Sequence, residues 1–211
     1  MARYTGPLCR LCRVEQKKLF LKGDRCKTDK CPINKKRPIP GKDPKARTGK
    51  RTDYGVQLRE KQKLKRSYGM LEKQFRIFFG RALRMPGITG ENLIGLLECR
   101  LDNVVFRMHL AVNRNQARQV VSHGHILVNG KPVNIPSYTV KAGDIIEVKE
   151  ISKKLVIIKD ALKEETKSGV YPWISLDADA LKGTFVSVPR RNEVTDLADI
   201  KEQLIVELYS K

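Results

Sequence analysis

The residues best suited to specific chemistry are four cysteines within the first 31 positions. Two residues separate Cys9 from Cys12, and four separate Cys26 from Cys31. Two close thiol pairs joined by a linker are typical of a tetrahedral zinc site with four thiolate ligands. Such a site leaves no position open for water, so we predict one structural Zn²⁺ rather than a catalytic one. An iron–sulfur cluster is the alternative that the same ligands allow.

The segment that carries these cysteines has too few apolar side chains to offset the entropy of ordering it. A bound metal would supply that folding free energy directly. Disulfides are disfavoured because nothing in the sequence suggests export. The fifth cysteine, Cys99, is predicted to lie in a helix as a small core residue.

The charge of the chain indicates a polyanionic partner. Lys and Arg number 43 against 23 Asp and Glu, a net charge of +20. No apolar run is long enough to span a membrane and no signal region precedes the cysteines, so we expect a cytoplasmic protein. Binding to an anionic membrane surface is disfavoured because the single Trp173 lies far from the basic stretches. Nucleic acid is the partner that remains.

Residues 34–53 combine prolines, glycines and basic residues, which indicates an extended basic linker. Next, Leu64, Tyr68, Leu71, Phe75 and Phe78 recur every three or four positions, which predicts the apolar face of one helix. Basic side chains occupy the opposite face, and few acids precede Glu72. We therefore expect that face to contact phosphates rather than to be merely solvated.

The stretch from residue 96 to 148 predicts a compact α/β unit. Asn113 is suited to cap a helix over 114–122, and Gly124 is suited to end it in a left-handed conformation. Asn129-Gly130 within "ILVNGKPV" is typical of a type I′ hairpin turn. Arg114, Arg118 and Ser122 would form one edge of the helix next to the hairpin, a surface suited to phosphates. Asp102 is interpreted as a helix-surface ion pair or cap.

Three motifs, "RLDNVV", "NQARQVVSHGHILVNGKPV" and "AGDIIEV", resemble the small RNA-binding module of the small-subunit ribosomal protein four family. "MARYTGP", "DYGVQLREKQKLKRSYG", "LEKQF", "TGENL" and "EQLIVELYSK" extend the resemblance to bacterial members over nearly the whole chain. The four cysteines match the zinc-carrying version of that family. The segment "PGKDPKARTGKR" departs from its usual pattern.

The resemblance implies an α+β fold with three parts. Residues 1–51 would form a zinc knuckle and basic arm, and 52–97 a mainly helical lobe joined by the C-terminal residues 196–211. Residues 98–195 would form the small RNA-binding module, with two helices packed on a short antiparallel sheet, and its extension. Ile205, Val206 and Leu208 would pack against the helical lobe.

The resemblance also implies a function. Members of the family bind small-subunit (16S-type) ribosomal RNA directly and early, nucleate assembly of the 5′ domain and influence translational accuracy. They contact the neighbouring small-subunit protein five, and their basic arm lies near the messenger RNA entry path, here residues 42–51. Residues expected to contact RNA are Arg3, Tyr4, Arg10, Arg13, Arg47, Lys50, Arg51, Tyr54, Arg59, Lys61, Lys63, Arg66, Lys73, Arg114, Gln116, Arg118, Gln119, Ser122, His123 and Lys131.

Two other classes of protein use similar parts. The module also occurs in pseudouridine synthases and some aminoacyl-tRNA synthetases, but no nucleophile–base pair, phosphate loop or set of converging carboxylates is present, so we predict no enzyme and no small-molecule substrate. A zinc-finger DNA-binding regulator would need a helix suited to reading the major groove, and none is evident. A structural RNA-binding protein is favoured.

Overall fold

The computed structural model describes residues 3–41, 43, 49, 50, 52–165 and 171–210. The chain divides into two compact units, the first formed by Met1–Leu93 with Thr195–Lys211 and the second by Ile94–Val194. The three-part division given above stays a prediction. Within the described part, no helix is both long and apolar enough to cross a membrane.

The first unit is helical. It contains α1 (Leu8–Glu15), α2 (Asp53–Ser67), α3 (Glu72–Arg84), the start of α4 (Thr89–Glu98) and α8 (Glu202–Tyr209). The prediction of one helix through residues 64–78 is wrong, because Gly69 interrupts it with φ 61°. The N–H of Met70 donates to the carbonyl of Lys65 at 3.0 Å, which closes α2 with the left-handed turn that favours glycine.

The core of the first unit lies where α2, α3 and α8 meet. Leu64, Phe75 and Ile205 are fully buried. The ring of Tyr209 stacks on that of Phe79 with centroids 4.4 Å apart. The C-terminal helix therefore completes the core, and the prediction that Ile205 packs there is confirmed. A smaller apolar cluster joins Cys12, Leu19 and Leu21 near α1.

The second unit combines helices with a five-stranded antiparallel sheet of order β2-β1-β3-β5-β4. After the end of α4 come α5 (Leu101–Arg107), α6 (Arg114–Ser122), β1 (Ile126–Val128), β2 (Lys131–Pro132), β3 (Ile145–Val148), α7 (Val156–Glu165), β4 (Ile174–Asp177) and β5 (Lys182–Phe185). The predicted mixture of helices and antiparallel sheet is confirmed. Cys99 is buried as expected, but it lies between α4 and α5 rather than within a helix.

Short sequence signals in the second unit correctly predict a helix start, a helix end and a hairpin turn. Asn113 caps α6 by accepting a hydrogen bond from the N–H of Gln116 at 3.0 Å. Gly124, with φ 73°, ends the helix, and its N–H donates to the carbonyl of Val121 at 2.9 Å. Asn129 and Gly130 have φ 50° and 75°, the two positive values that a type I′ turn requires. These short-range predictions are confirmed.

Candidate nucleic-acid interface

Helix α6 buries one face and exposes another. Ala117 and Val121 are fully buried in the core of the second unit. Gln119 is exposed, and so are Ser122 and His123, which follow it by three and four positions and therefore lie on the same side of the helix. Gln116, which was expected to contact RNA, also has a structural role, because its Oε1 accepts a hydrogen bond from the N–H of Val112 at 2.8 Å. Together with the Asn113 cap, this bond fixes the first turn of α6.

A buried ion pair lies beneath the Arg118 position of α6. Arg100 Nε and Nη2 donate to the two carboxylate oxygens of Asp102 at 3.0 and 2.6 Å, and both residues are buried. Arg118 Nη1 lies 4.0 Å from Asp102 Oδ2. Asp102 is therefore a buried counter-ion for two arginines: the predicted ion pair is present, but its predicted place on the helix surface is wrong. Arg118 itself is only 7% exposed, so its guanidinium serves the packing of α6.

A second buried network supports Arg114. Arg107 Nη2 donates to Glu98 Oε1 at 2.9 Å, and both side chains are almost completely inaccessible to solvent. The amide of Asn103 donates to Glu98 Oε2 at 2.8 Å, while its oxygen accepts from Arg114 Nε at 2.8 Å. The Arg114 guanidinium also lies over the ring of Phe106 at 4.7 Å from the centroid. These contacts hold Arg114 in a fixed orientation at the start of α6.

The second network extends into the aromatic core. The Arg107 guanidinium lies 4.6 Å from the ring centroid of Tyr171 and 5.9 Å from that of Trp173. A buried charge needs a partner and hydrogen bonds, and this one has both. Sequence reasoning missed Glu98, Asn103 and Arg107. Arg100 precedes α5 with extended backbone and Arg107 ends the helix, so helical spacing does not relate the two arginines, and no sequence pattern indicates that both are buried.

The basic face of α2 is more neutralised than the sequence suggested. Glu15 of α1 is buried and accepts hydrogen bonds from Arg59, at 3.3 Å, and from Arg66. Lys63 Nζ lies 2.5 Å from Glu60 Oε1. The expectation that acids do not neutralise this face before Glu72 is wrong, because Glu15 comes from another helix and Glu60 from the preceding turn of α2.

Glu72, at the start of α3, accepts hydrogen bonds from two lysines. Lys61 Nζ and Lys65 Nζ lie 2.7 and 2.8 Å from its two oxygens, and Lys61 is only 8% exposed. Burial opposes ionisation of the carboxyl, but hydrogen bonds from Lys61, Lys65 and Tyr209 outweigh it and lower the pKa of Glu72 to about 2. Lys61 is thus placed to stabilise the fold rather than to offer its charge to a ligand.

The residues nominated for RNA contact fall into four groups. Exposed are Arg3, Tyr4, Arg10, Lys50, Tyr54, Lys73, Gln119, Ser122, His123 and Lys131. Half-buried are Arg13, Arg59, Lys63, Arg66, Arg114 and Gln116. Lys61 and Arg118 are buried, and Arg47 and Arg51 lie outside the described residues. Each unit therefore presents its own set of exposed basic and polar side chains.

The histidines flanking Gly124 are ordinary polar groups of the helix end. Their ring centroids are 6.0 Å apart, and His125 Nδ1 lies 2.9 Å from Ser152 Oγ. Burial, together with the neighbouring His123 and Lys149, lowers the pKa of His125. His125 is therefore neutral at physiological pH.

The four N-terminal cysteines are free thiols. Cys12, Cys26 and Cys31 are buried, and Cys9 is half-buried. Burial raises the pKa of Cys12, a hydrogen bond with the backbone of Leu19 lowers it, and the charges of the other three thiols raise it, so each of those three sulfurs lies within electrostatic range of Cys12. As a donor set, four such thiols match the chemistry of zinc. Among the described residues, however, no three His, Cys, Asp or Glu side chains are already arranged to hold a metal ion.

Comparison with known proteins decides the family. Residues 3–98 match the model of the ribosomal protein S4/S9 N-terminal domain, and residues 99–146 match that of the S4 domain. The chain is 55% identical to small ribosomal subunit protein uS4 of Pelobacter propionicus over 211 residues, all of both chains. The chain belongs to the small ribosomal subunit protein uS4 family.

Other members of the uS4 family show the same extent of similarity. Identity is 56% with the uS4 protein of Syntrophotalea carbinolica and 53% with that of Thermotoga maritima, again over all of both chains. The S4-domain match begins at Cys99 and covers the β1–β2 hairpin as well as α5 and α6, the two helices that carry most residues of the buried arginine networks. The family consists of ribosomal proteins, in agreement with the prediction that the chain is not an enzyme.

Proposed function

We propose that this chain is a structural protein of the small ribosomal subunit that binds ribosomal RNA directly and nucleates folding of its 5′ domain. The observation that carries the proposal is the support beneath α6: buried carboxylates at Glu98 and Asp102 hold Arg107, Arg100 and Arg118 in place. A preorganised surface loses little side-chain entropy on binding, so it can impose its own geometry on a flexible RNA junction.

The recognition is electrostatic and depends on RNA shape. Exposed lysines and polar groups occur on α6, on the β1–β2 hairpin and around α1, while aromatic residues make up only 6% of the chain. Such surfaces suit phosphates and folded RNA better than base stacking. Each neutralised phosphate should contribute roughly 0.7–0.9 to the slope of log affinity against log salt concentration.

We further propose that Cys9, Cys12, Cys26 and Cys31 bind one structural Zn²⁺. The paired spacing of the four cysteines, the burial of three of them and the electrostatic influence of the other thiols on Cys12 support this proposal. The metal would cross-link α1 to the segment that contains Cys26 and Cys31, which has only a small apolar cluster to stabilise it. The residues would act solely as ligands, because four thiolates complete the coordination shell.

Two further partners complete the proposed assembly role. The exposed residues of the N-terminal region would lie near the path of messenger RNA, and the chain would contact small-subunit protein five. A contribution to translational accuracy would follow from both contacts. The basic charge supports the first, since residues 1–51 carry 17 Lys and Arg against four Asp and Glu.

Chemical footprinting of small-subunit ribosomal RNA with the purified chain, at two salt concentrations, tests the main proposal. We expect compact, salt-sensitive protection of one multi-helix junction in the absence of other proteins. Lys131→Gln on the exposed hairpin should weaken this protection, whereas Lys154→Gln, an equal charge change at an exposed position outside the nominated set, should not. Diffuse protection that large-subunit RNA reproduces would overturn the proposal.

A further inference from the structure

A cavity of about 280 Å³ lies between the C-terminal end of α1 and the segment that follows Cys31, within the first unit. Its lining includes Arg13, Ile33, Lys36, Arg37, Pro38 and Ile39. Only Arg13 was nominated from sequence. Four of the others, Lys36, Arg37, Pro38 and Ile39, belong to the stretch 34–53 that is predicted to be an extended linker, and only the folded chain brings them and Ile33 next to α1.

Several bonds shape the cavity walls. Arg13 Nη1 donates to the carbonyl of Pro38 at 3.2 Å, which joins α1 to the opposite wall. The N–H of Lys36, with φ 48°, donates to the carbonyl of Ile33 at 3.0 Å, and the N–H of Arg37 to that of Pro32 at 3.0 Å. Ile33 also packs against the cluster of Cys12, Leu19 and Leu21. Residues 32–38 therefore form hydrogen-bonded turns that are attached to α1, whereas the sequence predicted an extended linker from residue 34 onwards.

The lining combines two kinds of chemistry. Arg13, Lys36 and Arg37 supply three positive charges, while Ile33, Pro38 and Ile39 supply apolar surface. A guanidinium has five N–H donors in a planar fork, and the bond to Pro38 fixes that plane while using one of them. A ligand that satisfies both parts has an anionic group beside a flat, weakly polar group. One nucleotide has this composition, with its phosphate for the cations and its base for the apolar wall.

We propose that this cavity is a subsite for one unstacked nucleotide of the bound RNA. The proposal rests on the function proposed above and adds a specific contact to it. The size is consistent, since 280 Å³ is close to the lower end of the roughly 300–1,000 Å³ of small-molecule sites. Sequence-specific RNA recognition commonly uses such splayed-out bases, and Ile33, Pro38 and Ile39 give a base an apolar surface to cover.

The decisive variant is Ile39→Ala, because it leaves the charge unchanged. Ile39 is half-buried at the cavity, and Ile88→Ala is the matched control at an exposed position of the same unit outside the cavity. We expect Ile39→Ala to weaken RNA binding by roughly tenfold, the loss for one or two methylenes no longer covered by a base. The salt slope should stay the same, and one unpaired nucleotide should lose its protection in the footprint. Ile88→Ala should behave as the parent chain does.

A second measurement uses small probes on the full chain. Uridine monophosphate, uridine and inorganic phosphate are titrated separately while the methyl signals of Ile33 and Ile39 are followed by nuclear magnetic resonance. Uridine monophosphate should shift both signals at lower concentration than either of its parts. Arg13→Gln should abolish the difference between uridine monophosphate and uridine, whereas Arg84→Gln, an equal charge change at an exposed position of the same unit outside the cavity, should preserve it.

The outcomes separate the two proposals. Compact junction protection by the parent chain with an unchanged footprint for Ile39→Ala overturns the nucleotide subsite and leaves the assembly function standing. Diffuse protection by the parent chain overturns the assembly function, and the small probes then decide the cavity by themselves. If inorganic phosphate, or an acidic hexaglutamate peptide titrated in the same way, shifts the methyl signals as effectively as uridine monophosphate does, the cavity binds negative charge alone. That result would overturn the nucleotide subsite.

Discussion

The hydroxyl of Tyr209 donates a hydrogen bond to Glu72 Oε1 at 3.0 Å, joining residues 137 positions apart in the chain. The same carboxylate also forms ion pairs with Lys61 and Lys65 of α2. One acid therefore connects α2, α3 and the C-terminal helix α8. Burial raises the pKa of Tyr209, and the bond to Glu72 raises it further, so the phenol stays protonated and remains a donor.

Tyr209→Phe should lower the free energy of unfolding by about 1 kcal/mol, because it removes one hydrogen bond but keeps the ring stacked on Phe79. Tyr209→Leu should cost more, since it removes the stacking as well. Urea denaturation followed by circular dichroism measures both. Equal stability of Tyr209→Phe and the parent chain would show that the bond contributes nothing.

Acid should weaken the first unit through Glu72. Its pKa is lowered from 4.5 to about 2 in the folded chain, so its contribution is complete above pH 4.5 and is lost as the pH falls towards about 2. The difference in unfolding free energy between the parent chain and Glu72→Gln should therefore be constant above pH 4.5 and shrink below it. A difference that persists at pH 2 would contradict this assignment.

Glu98→Gln should destabilise the second unit by about 3–5 kcal/mol, because it leaves the Arg107 guanidinium buried without its counter-ion. The double variant Glu98→Leu with Arg107→Met should cost less than either single loss, since no unpaired charge remains. Trp173 is the only tryptophan and lies in this unit, so its fluorescence during urea unfolding reports the change. If the losses of unfolding free energy for Glu98→Leu and Arg107→Met add up to the loss for the double variant, the two side chains are not energetically coupled.

Zinc should copurify at one ion per chain, measured by elemental analysis of protein prepared without added chelator. Cys12→Ser should abolish this content, while Cys99→Ser should keep it, because Cys99 is remote in sequence from the four-thiol group. Burial, with the nearby Glu98 charge, raises the pKa of Cys99 to about 12, so its thiol should also resist alkylation in the folded chain.

Chelation gives a second readout of the same site. Removing the metal should increase proteolysis of residues 1–35, while the urea transition of Trp173 fluorescence should not change. Unaltered proteolysis after complete removal of zinc would show that the metal does not stabilise the N-terminal segment.

Gly130→Ala should lower stability by about 1 kcal/mol, because φ 75° at this position places a Cβ in the left-handed region. Gly80→Ala is the matched control. Gly80 lies inside α3 with nothing within 4 Å of an added Cβ, so alanine there should stabilise by about 0.5–1 kcal/mol. Thermal unfolding should shift in opposite directions for the two variants, and a shift in the same direction would contradict the turn assignment.

The sequence by itself determined the features that depend on a few neighbouring residues. The Asn113 cap, the Gly124 helix end and the Asn129-Gly130 turn each follow from local backbone geometry, so residue type alone predicts them. The motifs likewise identified the family. Helical periodicity wrongly predicted a single helix through residues 64–78. The apolar repeat continues across α2 and α3 because both helices pack in the same core, but Gly69 turns the backbone between them.

Only the tertiary structure decided which cations belong to the fold. Arg59 and Arg66 look like a phosphate-binding face until α1 brings Glu15 against them, and Arg118 looks exposed until Asp102 is found beneath it. The cavity beside Arg13 arises in the same way, from residues that lie twenty or more positions further along the chain. Helical periodicity fixes the side of a helix on which a charge lies, but its solvation and its partner are set by whatever the folded chain packs there.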